Sequence, residues 1–311
     1  MQAGNIKGKK ILITGINGFV GGNLAKKLKS QGADVYGVSR SVEEKNKILK
    51  ANILDFSKIN EFIRKTKIEI CFHLAGEALV ETGQIDPFNT FKVNIEGTLN
   101  ILESARKNNI GRVIISSTSH VYGKNRVPYF EGYTPRPSRP YETSKACMDL
   151  IAQSYNGSFN LPVLIPRFVN IYGPKDLNFN RLIPKTIRAV LSDEDPTMWG
   201  GNVIRDYLFI DDAVNAYILL AGVDLEKIGE NKIFNFGGGN NISVEDLIKK
   251  IISLSDKKLK IKKISEERPL EINQQYVSLN KASKILGWKN ATSLDEGLKK
   301  TIDWYRSYFG K

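Results

Sequence analysis

Apolar residues enter the chain in short uninterrupted blocks, each followed by a stretch of helical spacing. KKILIT at 9–14 is cut off by TGINGFVGG, and NLAKKLKSQGAD then carries a helical period as far as Gly32. VYGV at 35–38, EICFHL at 69–74 and RVIISS at 112–117 repeat the strand signal, with helical patterns through about 56–66 and 87–108 between them. YETSKACMDLIAQSY reads as a further helix and PVLIPRF as a further strand. Apolar runs without alternation are strands buried on both faces, and their regular exchange with helices predicts a parallel, doubly wound α/β sheet. After about residue 174 the regularity loosens. GPKDLNFNRLIPK is polar and broken by proline, which suits a ligand-facing segment better than a core. A helix through about 181–191, a strand around 203–209 and helices near 211–220, 244–253 and 293–306 follow. The pattern divides the chain into 1–174, holding the sheet, and 175–311, a smaller C-terminal α/β lobe, with the chain recrossing between them. No internal repeat or low-complexity segment interrupts it.

Composition narrows the class. With 41% hydrophobic and 25% charged residues among 311, the chain has the make-up of a soluble globular protein. No apolar stretch approaches the ~20 residues that a membrane helix needs, and MQAGNIKGKK lacks the apolar region of a signal peptide, so a cytoplasmic location without membrane contact is expected. Cys71 and Cys147 are too few for a disulfide framework, and with 2 histidines they make no metal spacing. They read as free thiols. The net charge of +13 suggests an anionic partner, but the lysines are dispersed and no nucleic-acid motif accompanies them. A small phosphorylated ligand is expected rather than nucleic acid.

Gly15, Gly18 and Gly21, with Asn17, Phe19 and Val20 among them, lie between the first strand and the first helix. There a tight turn must form, backbone must approach a pyrophosphate, and a helix N-terminus can offer free N–H groups to the anion. The spacing Gly-x-x-Gly-x-x-Gly in that setting points to dinucleotide binding. The second strand ends in GVSRS, where an NAD-binding sheet usually carries an acid. Arg40 at that point can accommodate a 2′-phosphate, so NADP is favoured over NAD.

Tyr141 and Lys145 stand four residues apart on one helix face. A phenol with a pKa of roughly 10 is a poor base near neutrality, and a positive charge beside it favours the phenolate. Three Tyr-x-x-x-Lys/Arg pairs occur in the chain where composition alone gives about two, so the pair requires the support of further motifs.

TGINGFVGG, STSHVYG at 117–123 preceded by Ser116, and YETSK together resemble the extended short-chain dehydrogenase/reductase family, in its nucleotide-sugar epimerase/dehydratase branch. HLAG at 73–76, NIEGTLNILE at 94–103, PRFVNIYGP at 166–174, RDYLFIDD at 205–212, FNFGGG at 234–239 and ERP at 267–269 follow in the order of that family, and the match runs from about 9 to 307. The resemblance implies a Rossmann-type sheet in 1–174 that binds NAD(P), and a substrate lobe in 175–311 that takes a nucleotide-diphosphate sugar. It implies that Tyr141 takes the proton of a sugar hydroxyl while hydride leaves the same carbon. Lys145 would hold the nicotinamide ribose and lower the tyrosine pKa, and Thr118 would hydrogen-bond the reacting hydroxyl.

Leu74, Ala75, Gly76, Asn52, Ile53, Asn94, Ser116 and Val169 are the further cofactor positions that it implies, with Asn52 standing where the family has an acid. Glu77, Thr118, Asn170, Arg205 and Arg268 are the substrate positions, the two arginines facing the diphosphate. A homodimer through the helices near 92–108 and 143–159 is also implied.

Members of this branch share oxidation at sugar C4. Similar dehydratases place an acid and then Glu or Lys directly after the catalytic Ser/Thr, and here those positions are Ser119 and His120. Serine cannot replace the carboxylic acid well, while His120 can exchange protons near neutral pH. Several segments nonetheless resemble CDP-glucose and GDP-sugar dehydratases and 4-reductases. The expectation is a 4-epimerase. The alternatives are a 4,6-dehydratase, a C4 reductase or oxidase, and a catalytically silent NAD(P)-binding regulator.

Overall fold

A computed structural model describes residues 6–41, 47–200, 202–230, 232–264 and 270–310. The strands β1 (Lys10–Thr14), β2 (Asp34–Ser39), β3 (Ile48–Lys50), β4 (Ile70–His73), β5 (Arg112–Ile115), β6 (Ser117–Thr118) and β7 (Val163–Phe168) join Ile233–Phe236 in one parallel sheet. Its order is 233–236, β7, β5, β4, β1, β2, β3, with β6 also pairing to β7. The pleat sends alternate residues to two cores. Ile11, Ile13, Phe72 and Ile114 enter one, and Leu12, Cys71, Val113 and Ile115 enter the other. The apolar runs at 11–13, 70–72 and 113–115 are unbroken for this reason.

Helices cover both faces. α1 (Phe19–Ser30) packs with α8 (Ile210–Gly222) on one side, and α2 (Phe56–Thr66), α5 (Gly97–Lys107) and α6 (Pro140–Phe159) pack on the other. The short α3 (Val80–Ile85) follows α2, and the helical pattern at 87–108 is resolved into α4 (Pro87–Phe91), a π-helical turn Lys92–Glu96, and α5. Past residue 174 the chain builds α7 (Leu182–Leu191), three small sheets and the helices Val244–Leu254 and Leu294–Phe309, and it returns to the main sheet at Ile233–Phe236.

The strand expected around 203–209 is two strands. Ile204–Arg205 pairs with 242–243 and 274–275, whereas Tyr207–Phe209 pairs with 170–172. Asp206 between them is fully buried, and its carboxylate accepts the N–H groups of Gly239 (3.2 Å) and Asn240 (3.0 Å), which divides the ladder. Cys71 is buried and Cys147 half-buried, both as free thiols. Among the described residues no helix is long and apolar enough to cross a membrane, and no group of three His, Cys, Asp or Glu could hold a metal ion.

Candidate active site

The sheet order reverses between β1 and β4, and ligands of open α/β sheets sit beyond the strand ends at such a point. A cavity of about 1190 Å³ opens there and continues to α7 and the strand at 204–205. Its nucleotide end is built on the glycine turn. Gly15 has φ +70°, and a Cβ on it would approach the Ala75 nitrogen to 3.0 Å. A Cβ on Gly21 would collide with the Gly15 carbonyl oxygen. Gly18 heads the 12-residue α1 without any side-chain cap, which leaves its first N–H groups for an anion.

Asn17, Phe19 and Val20 line the same end. Asn17 Nδ2 donates to Ser39 Oγ at 2.8 Å, the Ser41 N–H donates to that oxygen at 3.3 Å, and Arg40 is exposed at the cavity rim. Asn52 turns its Oδ1 back to the Leu54 N–H at 3.1 Å. Ile53 packs on Gly97, where a Cβ would meet Ile53 Cδ1 at 2.5 Å, and Val169 closes the wall.

At the other end Thr118 terminates β6 and Tyr141 opens α6 behind Pro140. Burial pushes the Tyr141 phenol up to about 12; a hydrogen bond with Thr118 and the charge of Arg181 pull it down, and Glu142 pushes it up again. Lys145 Nζ donates to the Ser116 carbonyl at 3.3 Å and lies 3.8 Å from the Cβ position of Gly76. Burial brings its ammonium down to about 8. The charge of Arg181, a residue outside the sequence-derived set, thus also acts on the phenol. Arg181 stands at the start of α7, pairs with Asp176 at 3.1 Å and lies over the Phe19 ring at 5.9 Å. Its setting in the polar segment GPKDLNFNRLIPK was the signal available for it.

A buried chain of hydrogen bonds ties these parts together. Thr14 Oγ1 accepts the Leu74 and Ala75 N–H groups, both at 3.1 Å, and lies 2.8 Å from His73 Nδ1. Having accepted twice, the Thr14 hydroxyl gives its proton to Nδ1, so the ring proton of His73 is on Nε2 and is donated to Thr98 Oγ1 at 3.1 Å. Burial holds this imidazole neutral, at about 3. Thr98 donates to the Asn94 carbonyl, Asn94 Nδ2 donates to Ser144 Oγ at 2.8 Å, and Ser144 donates to the Tyr141 carbonyl at 2.7 Å. The π-helical turn presents Asn94 to this chain, a use of such turns seen at functional sites.

Two of the expected residues stand outside the cavity lining. Asn94 is fully buried and supports the site from behind the cavity wall. Glu77 is not among the lining residues, and Asn94 binds both its backbone N–H (2.8 Å) and its carbonyl (3.2 Å) next to Gly76.

Asn170 and Arg205 face the cavity's far end. Asn170 Nδ2 donates to the Asp206 carbonyl at 3.3 Å, and Arg205 donates to Glu271 Oε1 at 2.9 Å. Arg268 lies outside the described residues. His120 lines the cavity with its ring edge-on to Tyr141, the centroids 5.8 Å apart. Its neighbour Glu142, absent from the sequence-derived set, is fully buried and pairs with Arg139 at 2.7 Å.

The chain matches the model of the NAD dependent epimerase/dehydratase family over residues 11–237. It is 32% identical to the UDP-N-acetyl-alpha-D-glucosaminuronate decarboxylase of Bacillus cytotoxicus, covering 96% of this chain and 98% of that one. It is 31% identical to the dTDP-D-glucose 4,6-dehydratase of Dictyostelium discoideum, covering 96% and 82%. The UDP-glucuronic acid 4-epimerase of Bacillus cereus, solved in complex with UDP-glucuronic acid and NAD, shares 26% identity and a TM-score of 0.87 over 96% of this chain and 99% of that one.

Proposed function

Because the chain belongs to the NAD dependent epimerase/dehydratase family, we propose that it oxidises C4 of a nucleotide-diphosphate hexose and restores that carbon with inverted configuration, as a 4-epimerase. The observation that carries this reading is that Thr118 and Tyr141 stand together in the cavity wall, whereas Ser119 is buried and off the cavity. Thr118 positions the C4 hydroxyl and Tyr141 removes its proton. The glycine turn, the uncapped start of α1 and Lys145 suit a nicotinamide dinucleotide, which supplies the hydride acceptor. Elimination of water would need a carboxylic acid where Ser119 stands, and Ser119 is 2% exposed. Asn170, Arg205 and Arg268 are assigned to the substrate diphosphate. A second reading, 4,6-dehydration, is favoured by His120 in the cavity wall. NMR of products from a panel of nucleotide-diphosphate hexoses separates the two. An isomer inverted at C4 supports epimerisation, and a product lighter by one water overturns it.

NADP is the proposed cofactor. β2 runs into Ser39, Arg40 and Ser41 at the cavity rim, two hydroxyls and a guanidinium that match a 2′-phosphate. Replacing Arg40 with Ala should weaken NADP roughly 10- to 100-fold and leave NAD nearly unaffected. Calorimetric titration checks this, and tighter binding of NAD than NADP by the unaltered protein refutes it.

The partner proposed for α5 and α6 is a second copy. Leu99 on α5 is 41% exposed and Leu150 on α6 is 53% exposed, apolar side chains that a helix-on-helix contact would cover. Light scattering should give twice the 34.9 kDa of the chain, and a monodisperse monomer would contradict the dimer.

A further inference from the structure

Glu142 invites a purely structural explanation. At the third position of α6 it accepts the Ser138 N–H (3.0 Å), the Ser138 hydroxyl (3.2 Å) and the Arg139 N–H (3.3 Å), all through Oε2, as a helix-capping carboxylate does. Its other oxygen has a second task. Oε1 receives Arg139 Nε at 2.9 Å and Nη2 at 2.7 Å, and stands 3.5 Å from His120 Nδ1. That nitrogen is buried and has no hydrogen-bond partner among the described residues, and Glu142 Oε1 is the charged atom it faces. The side chain keeps 17% exposure and lines the cavity, and with Nδ1 buried, Nε2 is the ring nitrogen left to face it.

Two neighbouring acceptors would repel, so a carboxylate at that distance requires the imidazole proton on Nδ1. Burial opposes ionisation of Glu142, but His120, the Ser138 N–H and Arg139 outweigh it and bring its pKa down to about 2, so it faces the ring as an anion. Burial, with Arg205 and Arg139, keeps His120 below the usual histidine range against the pull of Glu142. The resting ring is neutral, with a free lone pair on Nε2.

We propose that Glu142 is a positioning residue that holds His120 in its Nδ1–H form, so that Nε2 stands in the cavity beside Tyr141 as a second proton acceptor for the sugar. This rests on the C4 oxidation proposed above. Once C4 is a ketone, the C5–H bond is the acidic one next to it. His120 Nε2 takes the C5 proton, the bonding electron pair moves into an enolate on the C4 oxygen, and Glu142 stabilises the imidazolium. The reverse step returns a proton to C5, so nothing is oxidised or reduced beyond the C4 step. With serine at 119 no carboxylic acid follows Thr118 to expel the C6 hydroxyl. The result is solvent hydrogen at C5 whether or not water is lost.

Two measurements decide the matter. The chain has 2 histidines, so long-range ¹H–¹⁵N spectra of the labelled protein, without ligands, resolve both tautomers. His73 is expected as Nε2–H and serves as the reference, and His120 as Nδ1–H. Glu142→Gln should mix the His120 forms, and Glu142→Asp should restore them in part. A mere helix cap would lower stability and leave the tautomer alone. An Nε2–H His120 in the unaltered protein overturns the proposal.

The second measurement uses D₂O and a substrate carrying deuterium at C4. Deuterium from solvent should enter C5, and in Glu142→Gln the ratio of C5 exchange to C4 oxidation should fall about tenfold. C4 oxidation without C5 exchange overturns the inference alone. Absence of C4 oxidation overturns the underlying reading, and the tautomer still decides the role of Glu142.

Discussion

Tyr141→Phe should lower the rate of C4 oxidation by about 10²–10⁴-fold while cofactor affinity stays within a few-fold, since the variant loses the acid–base group and keeps the ring. Tyr141 is 7% exposed and burial pushes its phenol up to about 12, so little of it is ionised at neutral pH. That makes it a strong base in low supply. The positive charge of Arg181 and the neighbouring Thr118 act in the direction that the reaction needs, as does a bound oxidised nicotinamide. Oxidation should accordingly accelerate as pH rises above neutrality, and the phenylalanine variant should lose that slope. Single-turnover absorbance of the reduced cofactor measures both. A variant that keeps its rate, or that keeps its biological activity without turnover, would favour the silent-regulator reading.

Asp149→Ala should destabilise the fold by about 3–5 kcal/mol, the usual effect of leaving one member of a buried ion pair alone. Asp149 Oδ2 receives Arg167 Nε at 2.8 Å and the Ser117 hydroxyl at 2.8 Å, and Oδ1 receives Arg167 Nη2 at 2.9 Å and Gln153 at 2.7 Å. Arg167 is 1% exposed, lies 4.8 Å from the centre of the Tyr122 ring, and gives Nη1 to the Glu131 carbonyl. Removing the carboxylate strands a guanidinium between β7 and α6, directly behind the strand that carries Thr118. Urea unfolding followed by circular dichroism checks the number. A loss below about 1 kcal/mol would show that water or a shifted partner compensates Arg167.

The sheet was legible because its strands answer to one constraint. ILI at 11–13 and VLI at 163–165 are apolar without interruption since neighbouring residues feed opposite cores. The glycine turn was legible because Gly15 and Gly21 leave no room for a Cβ. The failures share a different cause, namely partners distant in sequence. Nothing in IRDYLF reveals that Asp206 will bind the backbone of Gly239 and Asn240 and split the strand. Glu77 follows a motif residue, yet Asn94 anchors its backbone from 17 residues away. The charge of Arg181 on Tyr141 and the contact of Glu142 with His120 likewise join residues far apart in the chain.

The central claim is that this chain breaks a C4–H bond with Tyr141 as the base. The most direct test is the product analysis of nucleotide-diphosphate hexoses deuterated at C4, incubated with NADP or NAD and followed by NMR and mass spectrometry. A primary isotope effect on turnover, with the label retained in a product inverted at C4 and with turnover abolished in Tyr141→Phe, is the predicted result. Products that form without an isotope effect, or that form equally in Tyr141→Phe, would contradict it.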